Sequence, residues 1–571
     1  MIKYFTYIFK DRRKAAMKMS TTISNSDFKD YVKKKYYYVD KTLLIEELFE
    51  RGDQVILLPR PRRFGKTLNL SMLKYYFDIK EDNKDLFKGL NIEKSKLFEK
   101  HLNKYPVIFL TFTEIGSKTW EDTYNDIKIK ISRLYEEHKY LLNSNKLDDY
   151  EKDIIKKIIT KEANYSEYKI SLYTISQYLY KHYGKEVIIL LDEYDSPVNR
   201  NTTKVYFDDM MIFLRDFISS AFKGNDYLFK GVITGILRIA KESIFSGANN
   251  IMVRTMLDND FSDKFGFTEE EVTEMLTYNN LDDKLKEVKE WYNGYTFGNN
   301  IIYNPFSIAS YIQKKSLEPY WVGTGDDTLI RNLINKTDIR FKDKIDILIN
   351  GGTIQEYIED NIVFSRLNDS EYLWSLLLFS GYLKARHVDR KIYELQIPNE
   401  EVKDVYKYTM ISYFKNIVDN SNKIIDAILA DDIEKLKKEI ESLTTIKLSY
   451  NDSTEHFYHG LYYGVLLRLE TESYEVKSNR ESGGGRYDIA IIPKDNNKTG
   501  YVIEFKVLKD EKSKDEIIKM KLEKLAEEAI KQIEDKKYET ELVNRGIRNI
   551  KILGIAFKGN TIYVSHKSIL P

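Results

Sequence analysis

The stretch LLPRPRRFGKTLNLSMLKYYFD, residues 57–78, decides the fold of the N-terminal half of this chain. It continues the short apolar run of residues 55–58, which lacks helical period and is typical of an interior strand. Beyond Thr67, apolar and aromatic residues recur at helical spacing. The sequence therefore predicts a strand, a cationic loop and a helix that opens at Gly65-Lys66-Thr67.

A glycine-lysine-threonine loop between a strand and a helix is typical of a nucleotide phosphate site. The backbone N–H groups of such a loop and the positive end of the helix dipole bind phosphate oxygens. Lys66 would reach the β- and γ-phosphates of ATP, and the Thr67 hydroxyl would hold Mg²⁺. The usual pattern is G-x-x-x-x-G-K-[ST], and Arg60 stands at its first glycine. A chance tripeptide is the alternative at this point.

The composition limits the classes of site that the chain can contain. The 571 residues include 90 basic and 89 acidic side chains, so the formal net charge of +1 gives no sign of nucleic-acid binding. Cysteine is absent, which excludes disulfides and thiolate metal sites and favours a carboxylate-held Mg²⁺. No apolar run reaches the roughly 18 residues that a membrane helix needs, so we expect a cytoplasmic protein without membrane contact.

A second buried strand ends in two acids. In KEVIILLDEYDSP, the aliphatic residues 188–191 run directly into Asp192-Glu193. At the end of a Walker B strand, Asp192 would bind Mg²⁺ and Glu193 would orient and polarise the attacking water. A buried strand that ends in solvated acids is the structural alternative. The phosphate-type loop upstream favours the Walker B interpretation.

Two more strands complete the predicted sheet, YPVIFLTFT at residues 105–113 and LFKGVITGILRIA at residues 228–240. Thr234 lies near the end of the latter, where it would either sense the γ-phosphate or cap the next turn. Arg238 and Arg254 are candidate γ-phosphate arginines, and a surface position is the alternative for each. The alternation of strands and helices predicts an α/β fold with a mostly parallel sheet covered on both faces.

The C-terminal region has a second set of residues suited to chemistry. SGGGRYDIAIIP turns at three glycines into a strand with Asp488, and YVIEFKVL places Glu504 and Lys506 on one face of the next strand. If these strands pair as a hairpin, the three side chains converge. Two carboxylates that hold Mg²⁺ beside a lysine suit phosphodiester hydrolysis. An ion pair between Glu504 and Lys506 is the structural alternative.

Two further candidates rest on helix context. Glu455, on a predicted upstream helix, would supply a third carboxylate for the metal, and Gln532, on a predicted downstream helix, would point at the same site. Between the two halves, residues 251–400 are predicted to form a helical lid with a winged-helix-like part. The charge-rich DDIEKLKKEIESL is predicted to be a solvated connector.

These segments together resemble a known family. They are YYYVDKTLLI, LPRPRRFGKT, IILLDEYDSP, VITGILRIAKESIFSGANN, WYNGYTFG, SLLLFSGYL, and SNRESGGGRYDIAI followed by VIEFK. The chain resembles bacterial and archaeal AAA-ATPase-like proteins that have a C-terminal nuclease-like domain of the PD-(D/E)XK superfamily. The loop RPRRFGKT is the family's own form, which answers the objection raised by Arg60.

The residues and the resemblance together predict a domain order and two sites. A leader at 1–25, expected to be poorly ordered, precedes a P-loop ATPase core at 26–250, the lid at 251–400, a helical connector at 401–450 and an α/β nuclease-like domain at 451–571. The expected ATP contacts are Arg60, Pro61, Arg62, Arg63, Phe64, Gly65, Lys66, Thr67, Asp192 and Thr234. The expected catalytic residues are Glu193, Asp488, Glu504 and Lys506. The expected Mg²⁺ ligands are Thr67, Asp192, Asp488, Glu504 and Glu455.

Three functions compete at this stage. The leading hypothesis is an ATPase coupled to a Mg²⁺-dependent nuclease that acts on DNA rather than RNA, in genome defence or mobile-element biology. The second is an ATP-driven switch whose C-terminal domain binds nucleic acid or protein without cleaving it. The third is a scaffold that binds no nucleotide. A homo-oligomer, in which a neighbouring copy supplies an arginine to the ATP site, is left open.

Overall fold

The computed structural model describes residues 20–22, 25–202, 204–239, 250–321, 339–360, 370–413, 421–444, 459, 462–463, 465–470, 473–508, 515–558 and 561–569. Most of the predicted leader therefore lies outside the described residues. The chain divides into two compact units. One comprises Met1–Gly325 with Glu356–Glu401, and the other comprises Asp326–Gln355 with Val402–Pro571.

The described helices and strands alternate through the first half of the chain. The strands are β1 (Val55–Pro59), β2 (Val107–Thr111), β3 (Val187–Asp192), β4 (Leu228–Gly235), β5 (Ile251–Val253), β6 (Tyr295–Phe297), β7 (Asn300–Ile302), β8 (Ile354–Tyr357), β9 (Lys384–Asp389), β10 (Ile392–Gln396), β11 (Tyr474–Ser482), β12 (Gly485–Pro493), β13 (Thr499–Val507), β14 (Asn549–Lys558) and β15 (Thr561–Ile569).

The described α-helices are α1 (Phe28–Lys33), α2 (Leu44–Glu50), α3 (Lys66–Phe77), α4 (Leu97–His101), α5 (Trp120–Glu137), α6 (Asp149–Thr160), α7 (Tyr165–Lys169), α8 (Ser171–Tyr183), α9 (Ser196–Asn201), α10 (Phe207–Phe222), α11 (Glu269–Tyr278), α12 (Leu285–Tyr292), α13 (Pro305–Lys314), α14 (Ile339–Ile349), α15 (Ser370–Phe379), α16 (Glu400–Tyr413), α17 (Ser421–Leu429), α18 (Ile433–Thr444), α19 (Asp515–Lys536) and α20 (Thr540–Asn544). Within the described ranges, each helix is too short or too polar to span a bilayer.

The first unit is built on a five-stranded sheet of order β2-β3-β4-β1-β5. Every described pairing in this sheet is parallel, so the carboxyl ends of its strands lie along one edge. All residues of β1 and β3 are buried, because helices cover both faces of the sheet. The structure confirms the predicted parallel α/β sheet, although β4 ends at Gly235 and not at residue 240.

Most of the predicted lid lies in the first unit, where it combines helices with short antiparallel ladders, whereas its residues 326–355, with α14, belong to the second unit. Helices α11 and α12 are followed by the hairpin β6–β7 and by α13, whose first turn is capped by the side chain of Asn304. Helix α15 then leads into the antiparallel pair β9–β10, which belongs to a sheet of order β8-β10-β9. The structure thus confirms the predicted helix and the strand after it, and the winged-helix-like character of this part stays a prediction.

The second unit contains a mixed sheet of order β11-β12-β13-β14-β15. Strands β13 and β14 pair in parallel along their whole overlap, and the other described pairs are antiparallel. Helix α19 fills the connection between β13 and β14 and buries Ile530 and Ile533 against the sheet. The unit therefore has one parallel strand pair, which is connected through a helix, and antiparallel strands on either side of that pair. This makes it an α/β unit.

The prediction of a solvated connector at residues 431–443 is wrong, because α17 and α18 both bury apolar side chains in the second unit. Between them, Asp431 accepts hydrogen bonds from the Tyr501 hydroxyl and the Lys551 ammonium, each at 2.7 Å. Apolar residues at helical spacing among the charges form a buried stripe. Its members are Ile424, Ala427, Ile428, Leu436 and Ile440. Both helices therefore belong to the second unit's core.

Candidate nucleotide and nuclease-like sites

The cationic loop between β1 and α3 wraps its carbonyl groups around Lys66. The Lys66 ammonium is buried and donates to the carbonyl oxygens of Arg60 at 3.0 Å and Pro61 at 2.8 Å. Burial lowers the pKa of this lysine. Gly65 precedes α3 with a φ of 83°, a left-handed conformation that favours glycine. The Lys66 ammonium is thus bound by two carbonyl oxygens of the loop, which phosphate oxygens could replace as hydrogen-bond acceptors.

Asp192 lies at the edge of the sheet where the strands end and accepts hydrogen bonds from two neighbouring elements. It is fully buried at the end of β3 and accepts a hydrogen bond from the Thr67 hydroxyl to Oδ2 at 2.7 Å. The Thr234 hydroxyl, near the end of β4, donates to Oδ1 at 2.5 Å. The structure therefore brings together three of the residues that the sequence predicts for the ATP site.

Glu193 lies beside Asp192 in a strained backbone conformation, with a φ of 50°. Burial and the neighbouring Asp192 raise the pKa of its carboxyl, while Lys66 and a hydrogen bond with Thr113 act in the opposite direction. A carboxyl with a raised pKa is better suited to accept a proton near neutral pH. Glu193 therefore lies beside Asp192 as predicted from the sequence, and its role toward an attacking water stays a prediction.

The side chain of Arg60 turns away from Lys66 into the protein. Its guanidinium donates to the carbonyls of Pro59 and Arg254, each at 2.8 Å, and lies over the rings of Phe265 and Phe297. Complete burial lowers its pKa to about 10. Arg60 therefore fastens the loop to the segment after β5, and only its backbone faces Lys66.

The remaining loop residues contact the lid. Phe64 is buried with its ring centroid 5.0 Å from that of Tyr295, and the carbonyl of Arg62 accepts a hydrogen bond from the Trp321 indole at 3.1 Å. Pro61 is buried, whereas the side chains of Arg62 and Arg63 are exposed. Arg62 and Arg63 thus have cationic groups at the surface of the loop, and their contact with ATP stays a prediction.

The two candidate γ-phosphate arginines form ion pairs within the first unit. The guanidinium of Arg254 lies 2.9 Å from Asp260 and 3.3 Å from Asp53. That of Arg238 lies 3.8 Å from Asp360. These pairs fit the structural alternative for both residues, and a role toward the γ-phosphate stays a prediction.

Sequence reasoning missed Asp195, which lies three residues beyond Asp192. It is buried and accepts hydrogen bonds from the backbone of the turn after β4. A third acid in the motif LDEYD, flanked by an aromatic residue, was the available signal, because a buried carboxylate needs partners.

The second unit gathers the predicted nuclease-like residues on β12, β13 and α19. Asp488 Oδ2 accepts a hydrogen bond from the backbone N–H of Phe505 at 2.7 Å. Glu504 is buried, and its Oε1 accepts from the Gln532 amide and lies 3.4 Å from the Lys506 ammonium. The pairing of Ile489 with Ile503 places Asp488 and Glu504 at the next step along the ladder.

The strand pairing explains why Asp488 and Glu504 lie together, at the point where β12 and β13 stop pairing. Strands β12 and β13 pair only through residues 489–491 and 501–503, and β13 continues in parallel with β14 to Val507. Asp488 accepts its hydrogen bond from the backbone N–H of Phe505, two residues beyond the paired Ile503. His459, which the sequence analysis did not single out, contacts the Asp488 carbonyl at 3.0 Å and the Ser478 hydroxyl at 2.8 Å.

The donor atoms in both units fit Mg²⁺, which prefers carboxylate and hydroxyl oxygen. Thr67 and Asp192 supply such oxygens in the first unit, and Asp488 and Glu504 supply them in the second. Glu455 lies outside the described residues. Among the residues that are described, no cluster of three or more His, Cys, Asp or Glu side chains could hold a metal ion.

Comparisons with protein families agree with the two units. Residues 22–245 match the family model described as a predicted AAA-ATPase, and residues 453–567 match that of the PD-(D/E)XK nuclease superfamily. The chain joins an AAA-ATPase-like region to a PD-(D/E)XK superfamily region. The AAA-ATPase-like match includes the cationic loop, the end of β3 and the end of β4. The PD-(D/E)XK match includes Asp488, Glu504, Lys506 and Gln532.

Individual proteins are also similar to this chain. An uncharacterised protein in the vnfD 5′ region of Azotobacter chroococcum mcd 1 is 25% identical over 539 residues, which cover 91% of this chain and 93% of the relative. A solved STAND (signal transduction ATPase with numerous domains) protein with a tetratricopeptide repeat sensor, from Pyrococcus horikoshii, is 12% identical with a TM-score of 0.25. That match covers 76% of this chain and 54% of the solved chain, so this chain spans about half the length of that protein.

Proposed function

We propose that this chain binds ATP with Mg²⁺ at the cationic loop and hydrolyses it. The observation that supports this most is the placement of Asp192 between the hydroxyls of Thr67 and Thr234. Lys66 would exchange the loop carbonyls for phosphate oxygens, and Thr67 and Asp192 would hold the ion. When bound, Mg²⁺ neutralises charge on the phosphates.

Glu193 is the proposed base for this hydrolysis. Its carboxyl lies next to Asp192, and burial raises its pKa. It would orient the attacking water and accept its proton. Thr234 would contact the γ-phosphate from the neighbouring strand, since its hydroxyl already lies at the same edge of the sheet.

We further propose that the PD-(D/E)XK region cleaves nucleic acid, with DNA preferred over RNA. Asp488 and Glu504 would hold Mg²⁺, which polarises the phosphate and lowers the pKa of bound water. Lys506 would position that water or neutralise charge on the phosphate. Gln532 orients the Glu504 carboxylate through its hydrogen bond to Oε1. The gathering of these four side chains supports this proposal.

ATP binding or hydrolysis is proposed to move the lid and thereby to control cleavage. The lid contacts the ATP loop through Phe64 and Trp321, which offers a direct route from nucleotide to lid. Genome defence or mobile-element biology, in the cytoplasm, is the proposed setting. It would suit a nuclease whose activity depends on nucleotide state.

One experiment tests the nuclease proposal and its dependence on nucleotide. The full chain is incubated with Mg²⁺ and supercoiled DNA, single-stranded DNA or RNA, without nucleotide, with ATP, and with a non-hydrolysable ATP analogue. We expect cleavage of DNA in at least one nucleotide condition and its loss in Glu504→Ala. A parent protein that cuts neither DNA nor RNA in any condition contradicts the nuclease proposal.

An ATP-driven switch that binds nucleic acid without cutting it is the second candidate. The observation in its favour is that Asp488 and Glu504 already accept hydrogen bonds from Phe505 and Gln532 in their own unit. Nucleotide-dependent retention of DNA in a gel-shift assay, without cleavage and unaffected by Asp488→Ala, would support this candidate over the nuclease.

A further inference from the structure

Asp195 fastens the turn that follows β4. Its Oδ2 atom accepts hydrogen bonds from the backbone N–H groups of Ile236 at 3.0 Å and Leu237 at 2.8 Å, and from the Asn199 amide at 3.0 Å. The side chain is buried, and burial without these donors would be costly. One carboxylate oxygen thus orders two successive residues of the turn.

Tyr194 fastens the same turn from the other side. Its backbone N–H donates to the Thr234 carbonyl at 3.1 Å, and its hydroxyl donates to the Leu237 carbonyl at 2.7 Å. The same hydroxyl accepts from the Ile239 N–H at 3.0 Å. Tyr194 and Asp195 therefore bond to most of the turn between Thr234 and Ile239.

Glycine at position 235 allows this close contact. A Cβ atom on Gly235 would lie 2.5 Å from Oδ1 of Asp195 and 2.8 Å from the Tyr194 ring. The carbonyl of Gly235 also accepts a hydrogen bond from the N–H of Arg60, the first residue of the ATP loop, at 3.0 Å. The end of β4 is therefore held between the acidic turn and the ATP loop.

We propose that Asp195 is a positioning residue for ATP hydrolysis, an inference that rests on the proposed ATPase function. Glu193 precedes the Tyr194–Asp195 pair, and Thr234 precedes the turn that this pair holds. Asp195 thereby fixes the separation of Glu193 from Thr234, the two residues proposed to act on the γ-phosphate and its attacking water. A displacement of about 1 Å between reacting groups can reduce turnover about 100-fold.

The test compares Asp195→Ala and Asp195→Asn with the parent and with Asn201→Ala. The asparagine carbonyl can occupy the place of Oδ2 and accept the same hydrogen bonds, so Asp195→Asn separates geometry from charge. Asn201 is a buried, hydrogen-bonded residue of the same segment that bonds to Tyr206 and Pro197. Asn201→Ala therefore controls for a general loss of stability.

The first readout is amide hydrogen exchange, measured without nucleotide. The second is ATP hydrolysis, measured as the Kd for ATP and kcat. In Asp195→Ala we expect faster exchange at the Ile236 and Leu237 amides, and a kcat lowered about 10- to 100-fold with the Kd for ATP within about threefold. Asp195→Asn should retain both the slow exchange and most of the kcat. Asn201→Ala should lower Tm without this selective loss of kcat.

Four outcomes would overturn the inference. The first is an Asp195→Ala variant that retains the parental kcat, and the second is one that loses kcat only in proportion to its folded fraction, as Asn201→Ala would. The third is an Asp195→Asn variant that loses as much kcat as Asp195→Ala although its amides stay protected, which assigns the effect to charge. A parent protein without ATP turnover would overturn the ATPase proposal as well, whereas the first three results leave that proposal intact.

Discussion

The Thr67 hydroxyl lies 2.7 Å from Oδ2 of Asp192. This hydrogen bond joins two motifs that lie 125 residues apart in the sequence, the loop before α3 and the acidic end of β3. Because Thr234 occupies the other carboxylate oxygen, Asp192 is fixed by one neighbour from each side. A carboxylate held in this way keeps its oxygens in a defined orientation for a cation or a water.

Replacing Thr234 by valine removes the hydroxyl and keeps the shape of the side chain. We expect kcat for ATP hydrolysis to fall about 10- to 100-fold, because a hydrogen bond to a charged group contributes about 1.5–3 kcal/mol. The Kd for ATP should change much less. Thr123→Val is the control, since Thr123 is also buried but bonds to Tyr206. Equal loss of kcat in the two variants would contradict the role of Thr234.

Replacing Arg60 by glycine restores the usual first glycine of a phosphate loop and should nevertheless harm the protein. The change leaves the carbonyls of Pro59 and Arg254 without their donor and opens space beside Phe265. We expect the free energy of unfolding to fall by about 3–5 kcal/mol, measured by urea denaturation. Arg62→Gly, at an exposed side chain, should cost much less. A fully stable Arg60→Gly variant would show that Arg60 does not fasten the loop.

Glu401 should make the first unit lose stability as pH rises. It is buried and accepts hydrogen bonds from the Ser307 hydroxyl at 2.9 Å and the Trp321 N–H at 2.7 Å. Burial raises its pKa from 4.5 to about 8, while the hydrogen bonds oppose this shift. The folded state therefore binds this proton more tightly than the unfolded chain, and the stabilisation present below pH 4.5 is lost as pH rises toward 8.

The measurement compares the unfolding free energy of the parent and Glu401→Gln between pH 4.5 and 8. The parent should lose on the order of 3–5 kcal/mol relative to the variant across this range. Glu121→Gln, at an exposed carboxyl, should follow the parent. Parallel curves for the parent and Glu401→Gln would show that folding does not raise the pKa of Glu401.

Replacing the nuclease-like residues should abolish the proposed DNA cleavage and leave the proposed ATP hydrolysis unchanged. Glu504→Gln and Lys506→Ala should each lower DNA cleavage at least about 100-fold, because each removes a charge that would act on the phosphate. ATP turnover should remain within about twofold of the parent, since α3 and β3 are untouched. Glu475→Gln, at an ion-paired carboxylate of β11 in the same sheet, should keep both activities. Cleavage retained in Glu504→Gln would remove Glu504 from the site.

The strands and the two motif pairs could be predicted because they depend on local patterns. Residues 188–191 are apolar without helical period and end in an acid pair, which specifies a buried strand with a polar end. Asp488 and Glu504 could be placed together because period two and a short turn determine a hairpin register.

Other contacts depend on distant parts of the chain and could not be predicted. The inward turn of Arg60 requires Phe265 and Phe297, about 200 residues away, to provide the surface on which its guanidinium lies. The bond from Asp195 to Leu237 similarly joins two strand ends that only the sheet brings together. The burial of α18 depends on the sheet of the second unit, which the charge-rich sequence of that helix obscured.

The most direct test of the account is Mg²⁺-dependent ATP hydrolysis by the full chain and by Lys66→Ala. Lys74→Ala, at a half-buried lysine farther along α3 that pairs with Glu137, is the matched control. We predict turnover by the parent and by Lys74→Ala, and a rate about 100-fold lower in Lys66→Ala, because Lys66 would be the positioned charge on the transferring phosphate. A parent without turnover, or a Lys66→Ala variant as active as the parent, would contradict the account.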